Sequence, residues 1–283
     1  LRTPEPQSWD ILDESIIDGL CRRAYRLGDK QIPAISLSPV DMEPGAPGLL
    51  YCHAHGKAFA IGKSEITDGR PALLEPPLSR DIAVAGWTVF CADMPGFGDR
   101  QAEGSETALA KAVSWRGKTL IGEMVADQML ALDALWDIAR PSCVATLGLS
   151  MGGTLAYLVA ALRADVFAAL HLCVFSDIAP LIETGAHDLH GPYMTIPGLL
   201  DRHDMSDIAG LVAPRPQFVA TGGQDPLTPD EAYAPAIKRL RAAYDAVPER
   251  LTVFRDPAAG HYETPQVRKA VLDFLATQRA MSI

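Results

Sequence analysis

Residues 143–162 read CVATLGLSMGGTLAYLVAAL. The first seven residues, Cys143–Leu149, are apolar without alternation, as in a strand buried on both faces. The last twelve, Met151–Leu162, have helical character. Between them lies Gly148-Leu149-Ser150-Met151-Gly152-Gly153. A strand that turns directly into a helix needs a sharp, strained corner. Small residues two before and two after the corner let neighbouring backbone approach it. The side chain at the corner, Ser150, then stands clear at the strand's carboxyl end, beside a helix N-terminus.

The same rhythm extends in both directions. Upstream are apolar runs at Leu49–Cys52 and Trp87–Cys91, helical patterns at Leu73–Ala85 and Thr119–Ala139, and loops at 41–48 and 94–100. In the 119–139 helix, Leu120, Met124, Met129, Leu132 and Leu135 fall near one face. Downstream, Val166–Phe175, Gln217–Thr221 and Leu251–Phe254 read as strands, and Asp230–Tyr244 and Thr264–Gln278 as helices. Apolar strands alternating with helices specify an α/β architecture, a mostly parallel doubly wound sheet covered on both faces. Leu20–Arg26 and Ile32–Leu37, joined at Gly28-Asp29, add an antiparallel hairpin at one edge. Residues 1–16 carry little signal beyond a short helix over Trp9–Ile16. Residues 176–215 interrupt the alternation, with helical stretches at Ile178–Ile182 and Ile196–Val212, and read as a cap-like insertion over the strand ends. The expectation is one domain spanning 1–283.

A serine at such a corner is a nucleophile only beside a base, and the base needs an orienting acid. In this strand–helix order the acid follows a later strand and the histidine the last one. Asp225 follows the strand Gln217–Thr221 across Gly222-Gly223, and His261 follows Leu251–Phe254. Asp177, after Val166–Phe175, is the alternative acid, with helix capping as its other role. The developing oxyanion needs two N–H donors. The backbone N–H of Met151 supplies one and the loop His53-Ala54-His55-Gly56 the other, with His55 favoured. A strand ending in His-x-His also fits a metal site, but no H-x-x-x-H, H-E-x-x-H or further His cluster accompanies it. The expectation is therefore no metal and no cofactor.

The chain has 283 residues, with 25 Lys and Arg against 35 Asp and Glu, a formal net charge of −10. This balance argues against a duplex nucleic acid partner or an anionic membrane surface. No apolar run reaches the length that spans a bilayer. Of the five cysteines, Cys52, Cys91, Cys143 and Cys173 lie in apolar runs and none forms C-x-x-C. They read as small buried hydrophobes of a reducing compartment. A first residue of Leu rather than Met reads as a processed or trimmed product. The expectation is a cytoplasmic protein, with a removed signal peptide as the alternative.

These motifs resemble the α/β-hydrolase fold, in its dienelactone hydrolase and acetyl xylan esterase-like branch. The resemblance runs from about residue 17 onward. It rests on the serine corner, His53–Gly56, Ile61-Gly62-Lys63 and Asp93-Met94-Pro95-Gly96-Phe97-Gly98-Asp99-Arg100. It rests also on residues 193–200 (YMTIPGLL) and 207–216 (DIAGLVAPRP). It implies Ser150 as nucleophile, Asp225 as acid, His261 as base, and hydrolysis of a small-molecule carboxylic ester. Two positions depart from the pattern. Dienelactone hydrolases proper carry cysteine where Ser150 stands, and the common His-Gly pair of the oxyanion loop is His53-Ala54 here. His187, His190 and Tyr193 are candidate substrate contacts within 176–215. Phe97, Trp115 and Phe175 are candidate apolar walls, and Asp99-Arg100 a structural ion pair. The alternative functions are the same triad on a lactone, thioester, amide or C–C bond, a metal-dependent hydrolase, or a binding protein that keeps the fold.

Overall fold

The computed structural model describes residues 8–281; the reading of residues 1–7 lies outside them. In chain order the first elements are β1 (Trp9–Ile17), β2 (Leu20–Leu27), β3 (Ile32–Pro39), β4 (Gly48–Cys52), α1 (Glu65–Asp68), α2 (Leu78–Val84) and β5 (Thr88–Ala92). Then come α3 (Glu106–Ser114), α4 (Leu120–Ala139), β6 (Val144–Leu149), α5 (Met151–Leu162), β7 (Val166–Leu172), α6 (Ile178–Thr184) and α7 (Met205–Gly210). The chain closes with β8 (Gln217–Gly222), α8 (Asp230–Ala243), β9 (Leu251–Asp256) and α9 (Pro265–Met281).

The strands form one sheet in the order β1-β2-β3-β5-β4-β6-β7-β8-β9. From β5 through β9 the neighbours are parallel, and β1, β2 and β3 join antiparallel at one edge. This is the α/β architecture expected, with its edge hairpin. Successive side chains of a strand point to opposite faces, and the core divides accordingly. Leu50 packs with α4, α5, α7 and α8 on one face. Leu49 and Tyr51 pack with α1, α2 and α9 on the other. On β6, Ala145, Leu147 and Leu149 join the second face. Thr146 faces α5 instead, and its hydroxyl donates to the Ala156 carbonyl at 2.9 Å.

Three elements differ from the sequence expectation. Trp9–Ile17 is a strand rather than a helix. Asp18 and Gly19 both take positive φ, forming a two-residue turn that pairs Ile17 with Leu20. Asp13 pairs with Arg22 across β1 and β2, so a neighbouring strand overrides local propensity. The helix expected over 73–85 is confined to Leu78–Val84, after Pro76 and Pro77. The stretch 196–212 forms a short 3₁₀ turn and α7 rather than one helix. Asp177 stands at the N-cap of α6, but its carboxylate does not cap it. Asp204 does so, accepting from Ile178 N at 2.6 Å and Ala179 N at 3.0 Å.

His171 on β7 is fully buried, between Tyr157 and Phe175. Burial pulls its pKa from 6.5 down to about 3, so the folded chain holds it neutral. The unfolded chain protonates it below about pH 6.5, and the folded state therefore loses stability as pH falls from 6.5 toward 3. Replacing His171 by Leu should reduce the stability lost between pH 7 and pH 5 by up to about 2 kcal/mol. Denaturant melts of the parent and the variant at both pH values measure this. An unchanged pH dependence would contradict it.

Candidate active site

The corner after β6 is as sharp as its residue types demand. Ser150 has φ 56° and ψ −127°, a region a non-glycine residue occupies at a cost. Its N–H donates to the Leu172 carbonyl of β7 at 2.8 Å, and its carbonyl accepts from Thr154 N at 3.1 Å. The glycines are fixed by contact. A Cβ on Gly148 would overlap Gly152, and a Cβ on Gly152 would overlap the Cys52 carbonyl oxygen at the end of β4. Met151 begins α5, where a helix's first N–H groups have no acceptor within the helix.

The acid and the histidine arrive on two loops that lock together. Gly223 N donates to the Asp256 carbonyl at 2.7 Å, and Gln224 N to the Ala259 carbonyl at 2.8 Å. Neither Gly222 nor Gly223 has positive φ. Their small size serves close approach rather than a tight turn, since a Cβ at 222 would overlap Ala259 and Gly260, and one at 223 would crowd Pro257. From this paired support, Asp225 Oδ2 accepts from His261 Nδ1 at 2.7 Å. The second oxygen accepts from Leu227 N at 2.9 Å. The Asp225 carboxylate is fully buried while the His261 ring is 23% exposed. A proton on Nδ1, shared with the carboxylate, leaves Nε2 as the basic nitrogen. Asp177 is committed elsewhere. It accepts from Ser206 N at 2.9 Å, Ser206 Oγ at 3.0 Å and Arg239 Nη1 at 2.9 Å.

Ser150 and His261 line one cavity of about 560 Å³, with His55, Phe59, Glu106, His190 and Tyr193 among its other walls. His55 uses both ring nitrogens. Nδ1 accepts from Lys57 N at 3.0 Å, so the proton lies on Nε2, which donates to Glu106 Oε2 at 2.9 Å. The ring stacks on Tyr193 with centroids 5.6 Å apart, and Tyr193 N donates to Glu106 Oε1 at 3.2 Å. His53 lies behind the cavity and is fully buried. Its Nε2 accepts from Met94 N at 3.1 Å and its Nδ1 donates to the Ala54 carbonyl at 3.2 Å. Burial holds its pKa at about 3, against the opposing pull of the Ala54 carbonyl. With their ring nitrogens spent on protein groups, His53 and His55 order the loop. Among the described residues no group of three or more His, Cys, Asp or Glu is arranged to hold a metal ion.

The remaining candidates lie at differing distances from this cavity. His190 borders it, with Nε2 on the Leu227 carbonyl at 3.1 Å and a pKa lowered by burial. His187 is exposed and lines a neighbouring apolar groove with Ile178, Leu181 and Ile182. Phe97 is buried behind the cavity against His53, His55 and Phe59. Phe175 is buried against Tyr157 and His171, and Trp115 stands 90% exposed at the end of α3. Asp99 and Arg100 are each ion-paired, but with other partners. Asp99 pairs with Lys63, and Arg100 with Glu103 and Asp127. The sequence reading passes over Glu106 and Phe59. The signal for Glu106 is present, because Ser105 followed by an alanine-rich run marks a helix start, and Ser105 does cap α3.

Among the described residues no helix is long and apolar enough to cross a membrane. Among the described residues no two cysteines are joined by a disulfide.

No protein-family model matches the chain. Across solved structures it resembles an acetyl xylan esterase assigned in Bacteroides fragilis, at TM-score 0.75 and 13% identity, covering 97% of this chain and 83% of that one. A glucuronoyl esterase from Solibacter usitatus superposes at TM-score 0.72 and 13% identity, covering 98% and 87%. TT1662 from Thermus thermophilus superposes at 0.64 and 19% identity, covering 90% and 97%. These likenesses concern the fold. In sequence, the chain is 34% identical over 252 residues to the Bacillus subtilis protein named "Putative hydrolase YtaP", covering 88% of this chain and 84% of the relative. With that identity sustained over most of both chains, the chain belongs to the same hydrolase family as that protein, and its sheet and serine corner have the form of the α/β-hydrolase fold.

Proposed function

We propose that this chain hydrolyses a small-molecule carboxylic ester, of acetyl or another small acyl group, through Ser150, His261 and Asp225. The observation that carries the reading is the 2.7 Å bond between Asp225 Oδ2 and His261 Nδ1, in a cavity that also receives Ser150 from a strained corner. His261 Nε2 takes the proton as Ser150 Oγ attacks the ester carbonyl. The Asp225 carboxylate steadies the imidazolium that results. The tetrahedral oxyanion lies between the N–H groups of Met151 and His55. Collapse expels the alcohol, to which His261 returns the proton. Water then attacks the acyl-Ser150 carbonyl by the same route in reverse, releasing the acid. No step requires a cofactor.

Residues 176–215 act as a cap in this scheme. His190 and Tyr193 bring its inner side to the cavity that holds Ser150. Glu106 ties that side to the oxyanion loop through His55 Nε2 and Tyr193 N. The ester's substituents then meet a wall that depends on Glu106 for its shape.

Ser150→Ala should lower kcat by about three orders of magnitude or more while leaving the melting temperature near that of the parent. An alkyl fluorophosphonate should add to Ser150, as read by mass spectrometry of the labelled peptide. Labelling elsewhere, or an active alanine variant, would remove Ser150 from this role.

Asp225→Asn should cut kcat about 10³- to 10⁴-fold by favouring the wrong imidazole tautomer. Asp177→Asn should leave kcat within a few-fold and lower the melting temperature, because Asp177 joins Arg239 and Ser206 rather than His261. The opposite ranking, with both variants folded, would reassign the acid.

Glu106→Gln should alter the ranking of esters more than their average rate. Across p-nitrophenyl esters of increasing acyl length and acetylated sugars, relative kcat/KM should shift by about tenfold, the scale set by one pocket contact. A uniform change over the whole panel would reduce Glu106 to packing.

A further inference from the structure

The loop that carries His55 rests on a buried ion pair that the proposed mechanism does not use. Glu65 of α1 is fully buried, and the Arg70 side chain is 3% exposed. Arg70 Nε donates to Glu65 Oε2 at 2.6 Å, and Tyr51 OH to Glu65 Oε1 at 2.8 Å. The pair then grips one residue of the loop from both ends. Ala54 N donates to Glu65 Oε2 at 2.9 Å, and the Ala54 carbonyl accepts from Arg70 Nη2 at 2.8 Å. His53 Nδ1 reaches the same carbonyl at 3.2 Å, so both acceptor directions of that oxygen are taken.

The consequence follows from peptide geometry. The Ala54 carbonyl and the His55 N–H share one planar unit, and in a trans peptide they point in opposite directions. Only two X-Pro bonds are cis among the described residues, so the 54–55 bond is trans. Fixing the carbonyl toward Arg70 therefore fixes the His55 N–H away from it. Three neighbouring N–H groups are already spent. Ala54 N is on Glu65, Lys57 N on His55 Nδ1 and Ala58 N on the His55 carbonyl. Gly56 lets the loop lie on the guanidinium, since a Cβ there would overlap Arg70 Nη1. The cost of burying two charges is met by pairing and hydrogen bonds that end on one peptide group.

We infer that Arg70, held by Glu65, is a positioning residue that aims the His55 N–H at the oxyanion from outside the cavity. The inference rests on the oxyanion reading of His55 given above. The test compares Arg70→Met, Arg70→Lys and the double variant Glu65→Leu/Arg70→Met with the parent and with Ser150→Ala. Removing both charges together avoids stranding Glu65, so the double variant keeps the fold where Arg70→Met does not. Arg70→Lys retains a cation opposite Glu65 and carries the measurement if both others unfold.

In folded variants kcat for p-nitrophenyl acetate should fall about 10- to 100-fold, the scale of a misplaced oxyanion donor, with KM within about threefold. Affinity for phenylboronic acid, which forms a tetrahedral adduct on serine, should fall in parallel. The pH at which kcat/KM turns over should not move, because His261 and Asp225 are untouched. Arg70→Lys should retain more activity than Arg70→Met, since it keeps one donor for the Ala54 carbonyl. Full kcat in a cooperatively melting variant, or a lost kcat with unchanged phenylboronic acid affinity, overturns the inference. An active Ser150→Ala overturns the site reading instead, and that result is distinct from either.

Discussion

The contact on which the site depends is backbone against backbone, where the first turn of α5 lies on the end of β4. Gly152 leaves no room for a Cβ beside the Cys52 carbonyl, and Gly148 leaves none beside Gly152. Such closeness is available only to glycine. It sets the distance between the Ser150 corner and the loop that starts at His53. The proposed nucleophile and oxyanion donors therefore need no flexible side chain to find one another. Their relative position is a property of strand spacing in the sheet.

The same solution recurs further along the sheet, beyond β7. Gly222 and Gly223 admit the 257–260 backbone against the end of β8, and two backbone hydrogen bonds join the loops. Asp225 and His261 inherit their separation from that junction. Charges buried just outside the cavity then fix what backbone contact does not. Asp93 accepts from Lys63 N, Lys63 Nζ and Asp99 N, and Gly62 and Gly98 press directly on its carboxylate. This explains why Ile61-Gly62-Lys63 and the 93–100 loop belong to one pattern. The loop ordered in this way supplies Met94 N to His53, which in turn holds the Ala54 carbonyl. A chain of short polar contacts thus runs from the buried 93–100 loop to the site.

How much of this is legible in the sequence follows from the range of each interaction. The parallel sheet is legible because buried strands are apolar throughout, and the serine corner because its glycines are local. Asp225 and His261 can be named because each follows the end of a strand, but the bond between them joins residues 36 apart. β1 is obscured because its side chains are mostly exposed and only β2 pairs with it; the Asp18-Gly19 turn is the one local signal for it. Asp204 caps a helix 26 residues upstream of itself, which no local rule anticipates. The role of Gly222-Gly223 is easily misread for the same reason. A glycine pair suggests a turn, whereas here the need for it comes from the partner loop.

Glu106 shows where such reading stops. A carboxylate at the first turn of a helix is ordinarily explained by the helix dipole. Here it turns inward, and its two oxygens join His55 of the 53–56 loop to Tyr193 of the 176–215 segment. Each oxygen of this partly buried carboxylate takes its donor from a different loop, so both are satisfied within the protein only when both loops are in place. The segment over the cavity is therefore coupled to the 53–56 loop through Glu106 as well as through the direct stacking of His55 on Tyr193. In the proposed function, shape selection at the cavity wall and charge stabilisation at the reacting carbonyl are in this way joined through Glu106.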